Sequence, residues 1–477
     1  MKENTENFIL LTDSYKTSHW KIYPKELQVM YSYLESRVGA THNGTLVVGP
    51  QALIKKNLLG KDVITKEKIA EAKIIIDAHM GPGVFNEEGW NNLLVKYKGA
   101  LPIRIKAVPE GMVIPTGNVL MSIENTDEEF PWLTNYLETY MVQVWYPMTV
   151  ATNSYEQKKI ILDALEKTGD PAGIMFKLHD FGFRGVTSVE AAGLGGMAHL
   201  VNFMGTDTIM ALLYADRYYN ANKALEAGIA GFSIPATEHS QMSLLGRKGE
   251  PVMMKRLLEQ FPTGLLACVS DTYDIIQACR DYWGGELKDA VMERDGVLVI
   301  RPDSGDATKI LPEIMGILGQ AFGQTKNAKG YYVLNDKVRV IQGDNVDIET
   351  LPQFIKAITD AGYSADNIAF GSGGGLLQKV NRDTQRFAFK CSAAKIDGEW
   401  RYVQKDPVTA GEFAKKSKQG RLALVKDGEG YRTIENATEE DMKNDILEVV
   451  YENGVLVKEY DFAQVRANAE IKVAVPA

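Results

Sequence analysis

Between about residues 170 and 390, short apolar runs rich in β-branched residues alternate with stretches of helical periodicity. Each run ends in a polar or glycine-rich turn, as in "GLLACVSDTYD", "VLVIRPDSGD" and "VRVIQGDN". The runs recur about every 30 to 40 residues, the length of a strand, a crossover helix and the next strand. Near-continuous apolar strands are typical of a parallel sheet buried on both faces. The pattern predicts a parallel α/β region, either a complete or incomplete (β/α) barrel or an open doubly wound sheet.

The segments on either side of this region have a different pattern. Short strand candidates such as "GTLVVG" and "LPIRIKAVPEG" precede it, and "EWRYVQKDPV" and "GRLALVKDGEGYRTI" follow it as a mostly β meander. We therefore expect two domains. Residues 1–38 and 150–390 form the barrel-like domain, and residues 39–149 and 391–477 form a β-rich α+β domain.

Composition and charge narrow the class of protein. The chain of 477 residues has a formal net charge of -9, which argues against a surface for nucleic acid or for anionic membranes. Any phosphate site must therefore be local. The three cysteines form no CxxC pair, so we expect free, buried thiols in a reducing compartment. The first apolar run is too short for a signal peptide, and no run reaches the length of a membrane span. We expect a cytoplasmic protein.

Polar residues and glycines directly follow the predicted parallel strands, and the loops after such strands share one face of the fold. The guanidinium group of arginine and the accessible backbone N–H groups of glycine can bind phosphate oxygens. Carboxylates can accept hydrogen bonds from ribose hydroxyls or bind Mg²⁺ beside a pyrophosphate. This mixture indicates phosphoribosyl chemistry. The residues are His179, Asp180, Phe181, Arg184, Ser233, Glu238, His239, Asp271, Asp274, Arg301, Asp303, Ser304, Gly343, Asp344, Gly371 and 373–375.

Each of these residues also has a purely structural interpretation. "RPDSG" is a common turn sequence, and Asp271 or Asp274 could cap the following helix. Arg184 and Arg301 could form structural ion pairs, and His239 could be a buried core histidine. Their occurrence together on one face, and not any single residue, favours a functional site.

The glycine-rich stretch "FGSGGGLLQK", residues 370–379, matches no familiar nucleotide motif. It lacks the P-loop spacing, and Leu376 stands where the last glycine of GxGxxG is required. The stretch "GLGGMA", residues 193–198, does match GxGxxA, but it follows a helical segment instead of a strand. We predict that its glycines allow close helix packing.

Long, ordered stretches of the chain resemble the nicotinamide phosphoribosyltransferases, a family of type II phosphoribosyltransferases. Among them are "TDSYKTSH", "KLHDFGFRGV", "HLVNFMGTDT", "PATEHS", "VSDTYDI", "IRPDSG", "VIQGDNVDI" and "FGSGGGLLQK". The resemblance covers nearly the whole chain. It implies transfer of the 5-phosphoribosyl group of phosphoribosyl pyrophosphate to nicotinamide, giving nicotinamide mononucleotide and pyrophosphate in NAD salvage. The alternatives are a nicotinate phosphoribosyltransferase and a non-catalytic nucleotide-sensing protein on the same fold.

The resemblance assigns roles at the nicotinamide end of the site. Phe181 stacks on one face of the ring, and the partner subunit's Tyr15 stacks on the other, which implies a homodimer with shared active sites. Asp207 accepts the amide N–H, so a nicotinate carboxylate would meet like charge. Ser233 is also expected to bind substrate. The structural alternative for Asp207 is a turn or a helix cap.

At the phosphate end, the resemblance implies a pyrophosphate and ribose-phosphate site that works with Mg²⁺. His239 is expected to be phosphorylated by ATP, which acts as a co-substrate, while Glu238 and Asp271 orient its imidazole. Asp303 and Asp344 are expected on the ribose and metal side, where Mg²⁺ would bind mainly through the substrate pyrophosphate. The expected phosphate-binding residues are Arg184, His239, Arg301, Gly343, Gly373, Gly374, Arg382, Lys390 and Lys405, with a further basic stretch at residues 415–421 that could instead be a solvated loop.

One position departs from the family pattern. Where the family has a serine that contacts the nicotinamide amide, this chain has Ala267. Loss of one hydrogen bond would cost on the order of 1 kcal/mol of binding.

Overall fold

The computed structural model describes residues 6–405 and 417–471. The strands of this part of the chain are β1 (Leu27–Ser36), β2 (Gly44–Leu46), β3 (Ile103–Ala107), β4 (Val113–Pro115), β5 (Val119–Asn125), β6 (Leu178–Asp180), β7 (Gly205–Thr206), β8 (Thr263–Val269), β9 (Asp295–Arg301), β10 (Gln324–Lys326), β11 (Tyr332–Leu334), β12 (Val338–Gln342), β13 (Ile368–Ser372), β14 (Phe387–Ile396), β15 (Glu399–Tyr402), β16 (Ala423–Asp427), β17 (Gly430–Ile434), β18 (Glu448–Glu452) and β19 (Val455–Leu456).

The helices in the same ranges are α1 (Pro50–Asn57), α2 (Lys66–Met80), α3 (Glu87–Tyr97), α4 (Trp132–Tyr136), α5 (Glu138–Val142), α6 (Trp145–Thr168), α7 (Val189–His199), α8 (Ile209–Tyr219), α9 (Ala221–Ala224), α10 (His239–Met242), α11 (Glu250–Gln260), α12 (Ile275–Gln277), α13 (Lys288–Glu293), α14 (Ala307–Phe322), α15 (Leu351–Asp360), α16 (Gly374–Leu377), α17 (Glu439–Lys443) and α18 (Phe462–Asn468). A π-helical segment, Ala278–Glu286, joins α12 to α13. No helix among these is long and apolar enough to cross a membrane.

The chain divides into two compact units. Among the described residues, 6–152, 217–224, 381–405 and 417–470 form unit 1, and 153–216, 225–380 and 471 form unit 2. Unit 2 contains a six-stranded sheet in the order β7-β6-β13-β12-β9-β8, and its strand pairs are parallel. This confirms the predicted α/β architecture.

An irregular segment, residues 231–237, connects the two edges of this sheet and closes it into a barrel. On one side the Phe232 N–H donates to Met204 O at 2.7 Å. On the other side the Ala267 N–H donates to Pro235 O at 2.9 Å, beside a parallel bridge between residues 236 and 267. Proline has no N–H to donate to a ladder, so the segment closes the barrel without forming a regular strand.

Successive side chains along each barrel strand point alternately into two apolar environments. Leu266 and Leu298 face outward into the core formed with the surrounding helices. Ala267, Val299 and Ile341 form a separate apolar cluster, against which Phe181 and Ile234 pack. The second cluster forms one wall of a cavity inside the barrel.

Unit 1 is built on a seven-stranded sheet in the order β15-β14-β1-β5-β3-β18-β19. Its strand pairs are antiparallel, in agreement with the expected β-rich domain. Strand β1 is an inner strand of this sheet, with β14 on one side and β5 on the other. The expectation that residues 1–38 belong to the barrel was therefore wrong. Most of β1 is buried, so its long apolar run did not reveal which sheet it joins.

One smaller prediction is confirmed, and another holds in part. A Cβ atom on Gly193 would lie 2.7 Å from the ring of Tyr214, and one on Gly196 would lie 2.7 Å from Ala211 Cβ, so both glycines allow α7 to pack closely on α8. The three cysteines are free thiols as expected; Cys268 and Cys279 are buried, whereas Cys391 is only partly buried, so the expected burial holds for two of the three.

Candidate functional site

A cavity of about 580 Å³ lies inside the barrel of unit 2. Its walls are largely apolar. Asp207, Ser233 and Arg301 line it at the carboxyl ends of the strands, and Lys177 and Arg339 line it toward their amino ends. Such an apolar slot with a few polar groups at each end suits a small flat ring that carries a polar substituent.

Phe181 follows β6 and lines the cavity. Its N–H donates to Ser372 O at 2.9 Å, which ties the loop to the end of β13. A Cβ atom on Gly371 would lie only 1.8 Å from Phe181 Cε2. The glycine at position 371 therefore makes room for the Phe181 ring.

Asp207 and Ser233 form a hydrogen-bonded pair on the cavity wall. The Ser233 hydroxyl donates to Asp207 Oδ1 at 2.5 Å. Asp207 follows β7, and its N–H donates to Asp180 O at 2.9 Å. The serine holds one carboxylate oxygen, so the other is available to accept a hydrogen bond from a ligand amide.

His239 begins α10 and faces two carboxylates. Its Nε2 atom lies 3.5 Å from Asp303 Oδ2 and 3.8 Å from Asp271 Oδ1. Its Nδ1 atom lies 3.2 Å from the Thr272 hydroxyl. The side chain is about half exposed, so His239 is not a buried core histidine and its imidazole is accessible to a ligand.

Asp271 connects the loops that follow β8 and β9. Its Oδ2 atom accepts from the Asp303 N–H at 3.0 Å and from the Ser304 hydroxyl at 2.5 Å. Asp303 in turn contacts Arg301 Nη2 at 3.2 Å. This network fixes the "RPDSG" turn beside His239, so the turn belongs to the site.

The cap interpretation holds for Asp274, and Glu238, which was expected to orient His239, also caps a helix. Asp274 accepts from the Gln277 N–H at 2.9 Å and caps α12. Glu238 caps α10 through a capping box and accepts from the Ser240 hydroxyl at 2.6 Å. The pKa of Glu238 is lowered, mainly by the bond from Ser240 and further by the charges of Arg184 and Arg301. Both arginines therefore lie near the start of α10.

The glycine-rich loop after β13 borders the same face. A Cβ atom on Gly374 would meet nothing within 4 Å, and one on Gly373 would meet only Phe181 backbone atoms, the nearest at 3.5 Å. Gly185, next to Arg184, lies close to Gly374, since its Cβ would be 3.7 Å from Gly374 Cα. The helix that starts here, α16, is a single turn. The loop therefore has open space next to Arg184, and a phosphate group could occupy that space.

Gly343 and Asp344 follow β12. A Cβ atom on Gly343 would lie 3.5 Å from Phe181 Cε2 and 3.6 Å from Asp303 Oδ1. Gly343 thus lies between the ring-binding and carboxylate parts of the site, and Asp344 is exposed next to it.

Unit 1 contains a second pocket, of about 720 Å³, lined by Tyr15, Arg37, Arg382, Arg386 and Lys390. Burial lowers the pKa of Lys390, and the charges of Arg37, Lys405 and Arg382 also lower it, whereas the charge of Glu138 raises it. Three carboxylates, Asp13, Glu138 and Asp383, line the same pocket, so the excess of positive charge is small, but the guanidinium and ammonium groups there can bind a phosphate.

The predicted residues Tyr15, Arg382, Lys390 and Lys405 therefore lie in unit 1, whereas the other predicted site residues lie in unit 2. Tyr15 is about half exposed. Sequence reasoning missed Arg37 and Arg386. Arg37 directly follows β1, and the error in assigning residues 1–38 hid its position. Lys415 and Lys416 of the basic stretch lie outside the described residues.

The described residues contain no group of three or more His, Cys, Asp or Glu side chains that could hold a metal ion. Asp303 is already shared with Arg301 and His239. Two carboxylates, Asp303 and Asp344, are expected on the metal side of the site. This number fits Mg²⁺, which commonly takes one or two protein carboxylates and completes its shell with phosphate oxygens and water.

Comparison with known proteins identifies the family. A model described as the nicotinate phosphoribosyltransferase (NAPRTase) family matches residues 176–455, and a model of the nicotinamide phosphoribosyltransferase N-terminal domain matches residues 7–105. A nicotinamide phosphoribosyltransferase of Xanthomonas campestris pv. campestris is 47% identical over 475 residues, which is 98% of each chain. The chain belongs to the nicotinamide phosphoribosyltransferase family.

A second relative agrees with this assignment, and two solved structures share the fold. A nicotinamide phosphoribosyltransferase of Acinetobacter baylyi is 30% identical over 95% of each chain. The fold is similar to that of a nicotinate-nucleotide pyrophosphorylase from Pyrococcus furiosus, with a TM-score of 0.59 and 16% identity over 98% of this chain and 95% of that one. It is also similar to human nicotinic acid phosphoribosyltransferase, with a TM-score of 0.58 and 15% identity over 96% and 93% of the two chains. As a member of this family, the protein is an enzyme of the phosphoribosyltransferase type.

Proposed function

We propose that the protein transfers the 5-phosphoribosyl group of phosphoribosyl pyrophosphate to the ring nitrogen of nicotinamide. The observation that carries this proposal is the Asp207–Ser233 pair, which lines the same cavity as Phe181. An ionised carboxylate accepts hydrogen bonds but cannot donate them. It therefore suits the amide of nicotinamide and opposes the carboxylate of nicotinate.

The reaction follows from the order of groups along the site. Phe181 stacks on the ring and Asp207 holds its amide, so the ring nitrogen points out of the cavity toward the ribose. As the bond to pyrophosphate breaks, the anomeric carbon gains positive charge, and the carboxylates of Asp303 and Asp271 stabilise it. Arg184 and Arg301 hold the leaving pyrophosphate. When bound, Mg²⁺ would neutralise part of the pyrophosphate charge beside Asp303 and Asp344.

We further propose that ATP phosphorylates His239. Its Nδ1 atom is engaged with Thr272, which leaves Nε2 on the side of the carboxylates. The Nε2 lone pair attacks the γ-phosphorus, the bond to the bridging oxygen breaks, and ADP leaves. The added negative charge would lie next to the pyrophosphate and Mg²⁺, where it favours the productive complex.

We also propose substrate-binding roles for five residues of unit 1. We assign the cations Arg37, Arg382, Lys390 and Lys405 to the substrate phosphates, and Tyr15 to the second face of the nicotinamide ring of a partner subunit. A homodimer with shared sites follows from that assignment. The free thiols suit a reducing compartment, so we propose a cytoplasmic location.

One assay tests the reaction. Purified protein, Mg²⁺ and phosphoribosyl pyrophosphate are mixed with nicotinamide, nicotinate or quinolinate, with and without ATP, and the mononucleotide products are separated. We expect product from nicotinamide and a higher rate with ATP. Product only from nicotinate would favour a nicotinate phosphoribosyltransferase, and calorimetric binding without turnover would favour a nucleotide-sensing protein.

A further inference from the structure

Asp180 is a buried carboxylate that the proposed reaction does not use. It is the last residue of β6, its relative exposure is 0%, and it precedes Phe181. It does not line the barrel cavity, but its neighbours Phe181 and Asp207 do. Asp180 therefore lies behind the wall that is formed by the two residues assigned to the nicotinamide ring and its amide.

The backbone and side chain of Asp180 hold both of these loops. Its Oδ1 atom accepts from the Gly182 N–H at 2.7 Å, which fixes the turn that carries Phe181. Its carbonyl oxygen accepts from the Asp207 N–H at 2.9 Å. A Cβ atom on Gly196 of α7 would lie 2.9 Å from Asp180 Oδ2, so α7 encloses the carboxylate from behind.

The charge of this carboxylate is not neutralised locally. Oδ2 is buried and has no hydrogen-bond partner in the described part of the chain. None of the ion pairs found there involves Asp180. Burial, with a smaller contribution from the charge of Asp207, raises the pKa of Asp180 to about 6, although the Gly182 N–H and the nearby hydroxyls of Thr208 and Thr206 act to lower it. The group is therefore mostly ionised at neutral pH. An unpaired charge in a low-dielectric wall acts on the adjacent cavity more strongly than it would in water.

We propose that Asp180 is a specificity-determining residue, whose buried negative charge makes the cavity reject an anionic ring substrate and accept a neutral one. This inference rests on the proposed function and deepens it. Nicotinamide is neutral, and its ring becomes a cation once the ring nitrogen bonds to ribose. A nearby anion such as Asp180 stabilises that cation. Nicotinate would bring a carboxylate toward two carboxylates, those of Asp207 and Asp180, instead of one.

The test is the Asp180→Asn variant. Its amide oxygen can still accept from the Gly182 N–H, so the turn is kept while the charge is removed. We expect the ratio of kcat/KM for nicotinamide to kcat/KM for nicotinate to fall by about tenfold or more, a change of about 1.4 kcal/mol. The KM for phosphoribosyl pyrophosphate should not change. Glu110→Gln is the matched control, since Glu110 is a buried carboxylate in unit 1, and its ratio should equal that of the unaltered protein.

Each outcome decides the inference separately from the proposed function. If the unaltered protein makes no product from nicotinamide, the proposed function fails. If it does, and folded Asp180→Asn keeps the same ratio, the role of Asp180 alone is overturned. Thermal unfolding shows whether the variant is folded, and Asp180→Ser provides a second neutral side chain if it is not. If neither neutral variant folds, Asp180 is a structural residue and the specificity role is wrong.

Discussion

The Nε2 atom of His239 lies 3.5 Å from Oδ2 of Asp303. The same oxygen contacts Arg301 at 3.2 Å. One carboxylate is thus shared between an imidazole and a guanidinium at the end of the barrel. A phosphoryl group on Nε2 would place negative charge against Asp303 and would also offer Arg301 a new anionic partner. Under the proposed phosphorylation of His239, the His239–Asp303 contact would be the point where ATP acts on the pyrophosphate site.

The first prediction concerns His239→Ala. We expect this variant to lose the stimulation by ATP, so that the rates with and without ATP become equal, because the atom that accepts the phosphoryl group is gone. The basal rate should fall as well but remain measurable. The assay is nicotinamide mononucleotide formation together with ADP release. His79→Ala, at a histidine in unit 1 that contacts Ser14, is the control, and unchanged ATP stimulation in His239→Ala would refute the phosphohistidine.

The second prediction concerns Ser233→Ala. Loss of the hydroxyl that donates to Asp207 at 2.5 Å frees the carboxylate to rotate away from the amide. We expect the KM for nicotinamide to rise about fivefold, which corresponds to one hydrogen bond of about 1 kcal/mol, with the KM for phosphoribosyl pyrophosphate unchanged. Ser240→Ala removes a similar bond, to Glu238, and should leave the KM for nicotinamide unaltered. Equal effects on both substrates would argue against a specific role for Ser233.

The third prediction separates two glycines of the same loop. Gly374→Ala adds a Cβ where the protein has no atom within 4 Å, so its thermal stability should not change. Its KM for phosphoribosyl pyrophosphate should rise about tenfold or more if a phosphate occupies that space. Gly371→Ala would instead push the Phe181 ring aside, so it should lower stability and weaken nicotinamide binding. Normal kinetics in Gly374→Ala would place the phosphate elsewhere.

Some parts of the fold could be predicted from the sequence because one local pattern determined them. The run "VLVI" in β9 is a buried parallel strand, and the glycines near Gly193 pack two helices. The assignment of residues 1–38 failed because which sheet β1 joins depends on partners in β5 and β14, far away in sequence. The grouping of Arg37 with Arg382 depends on that same pairing, so no local pattern could reveal it.

The fourth prediction is a pH dependence of stability that comes from Asp180. Burial raises the pKa of this group from 3.8 to about 6 in the folded protein, so the folded state binds the proton more tightly than the unfolded state. Stability therefore decreases as pH rises from about 4 to 6 and stays lower above that, by about 3 kcal/mol for this group. Asp180→Asn lacks this term. The free energy of unfolding of the variant, measured by urea unfolding, should therefore rise relative to that of the unaltered protein as pH increases across that range. If the two proteins showed the same dependence of stability on pH, the buried charge would be contradicted.

The fifth prediction concerns Ala267, the position where the family pattern has serine. The backbone of this residue is fixed, since its N–H donates to Pro235 O and its carbonyl accepts from the Thr237 N–H. Its side chain lines the cavity with Val299 and Ile341. Ala267→Ser therefore directs a hydroxyl into the cavity without moving the strand. We expect the KM for nicotinamide to fall about fivefold, the effect of one added hydrogen bond of about 1 kcal/mol.

The control for this variant is Ala236→Ser, which adds a hydroxyl at another position on the wall of the same cavity. Its KM for nicotinamide should stay the same if the amide lies within reach of residue 267 and not of residue 236. An unchanged or higher KM in Ala267→Ser would mean that the new hydroxyl is buried without a partner, which is costly. In that case the amide of the bound ring would have to point away from β8. Asp207 would then remain the acceptor of the amide N–H, and no residue of β8 would contact the amide.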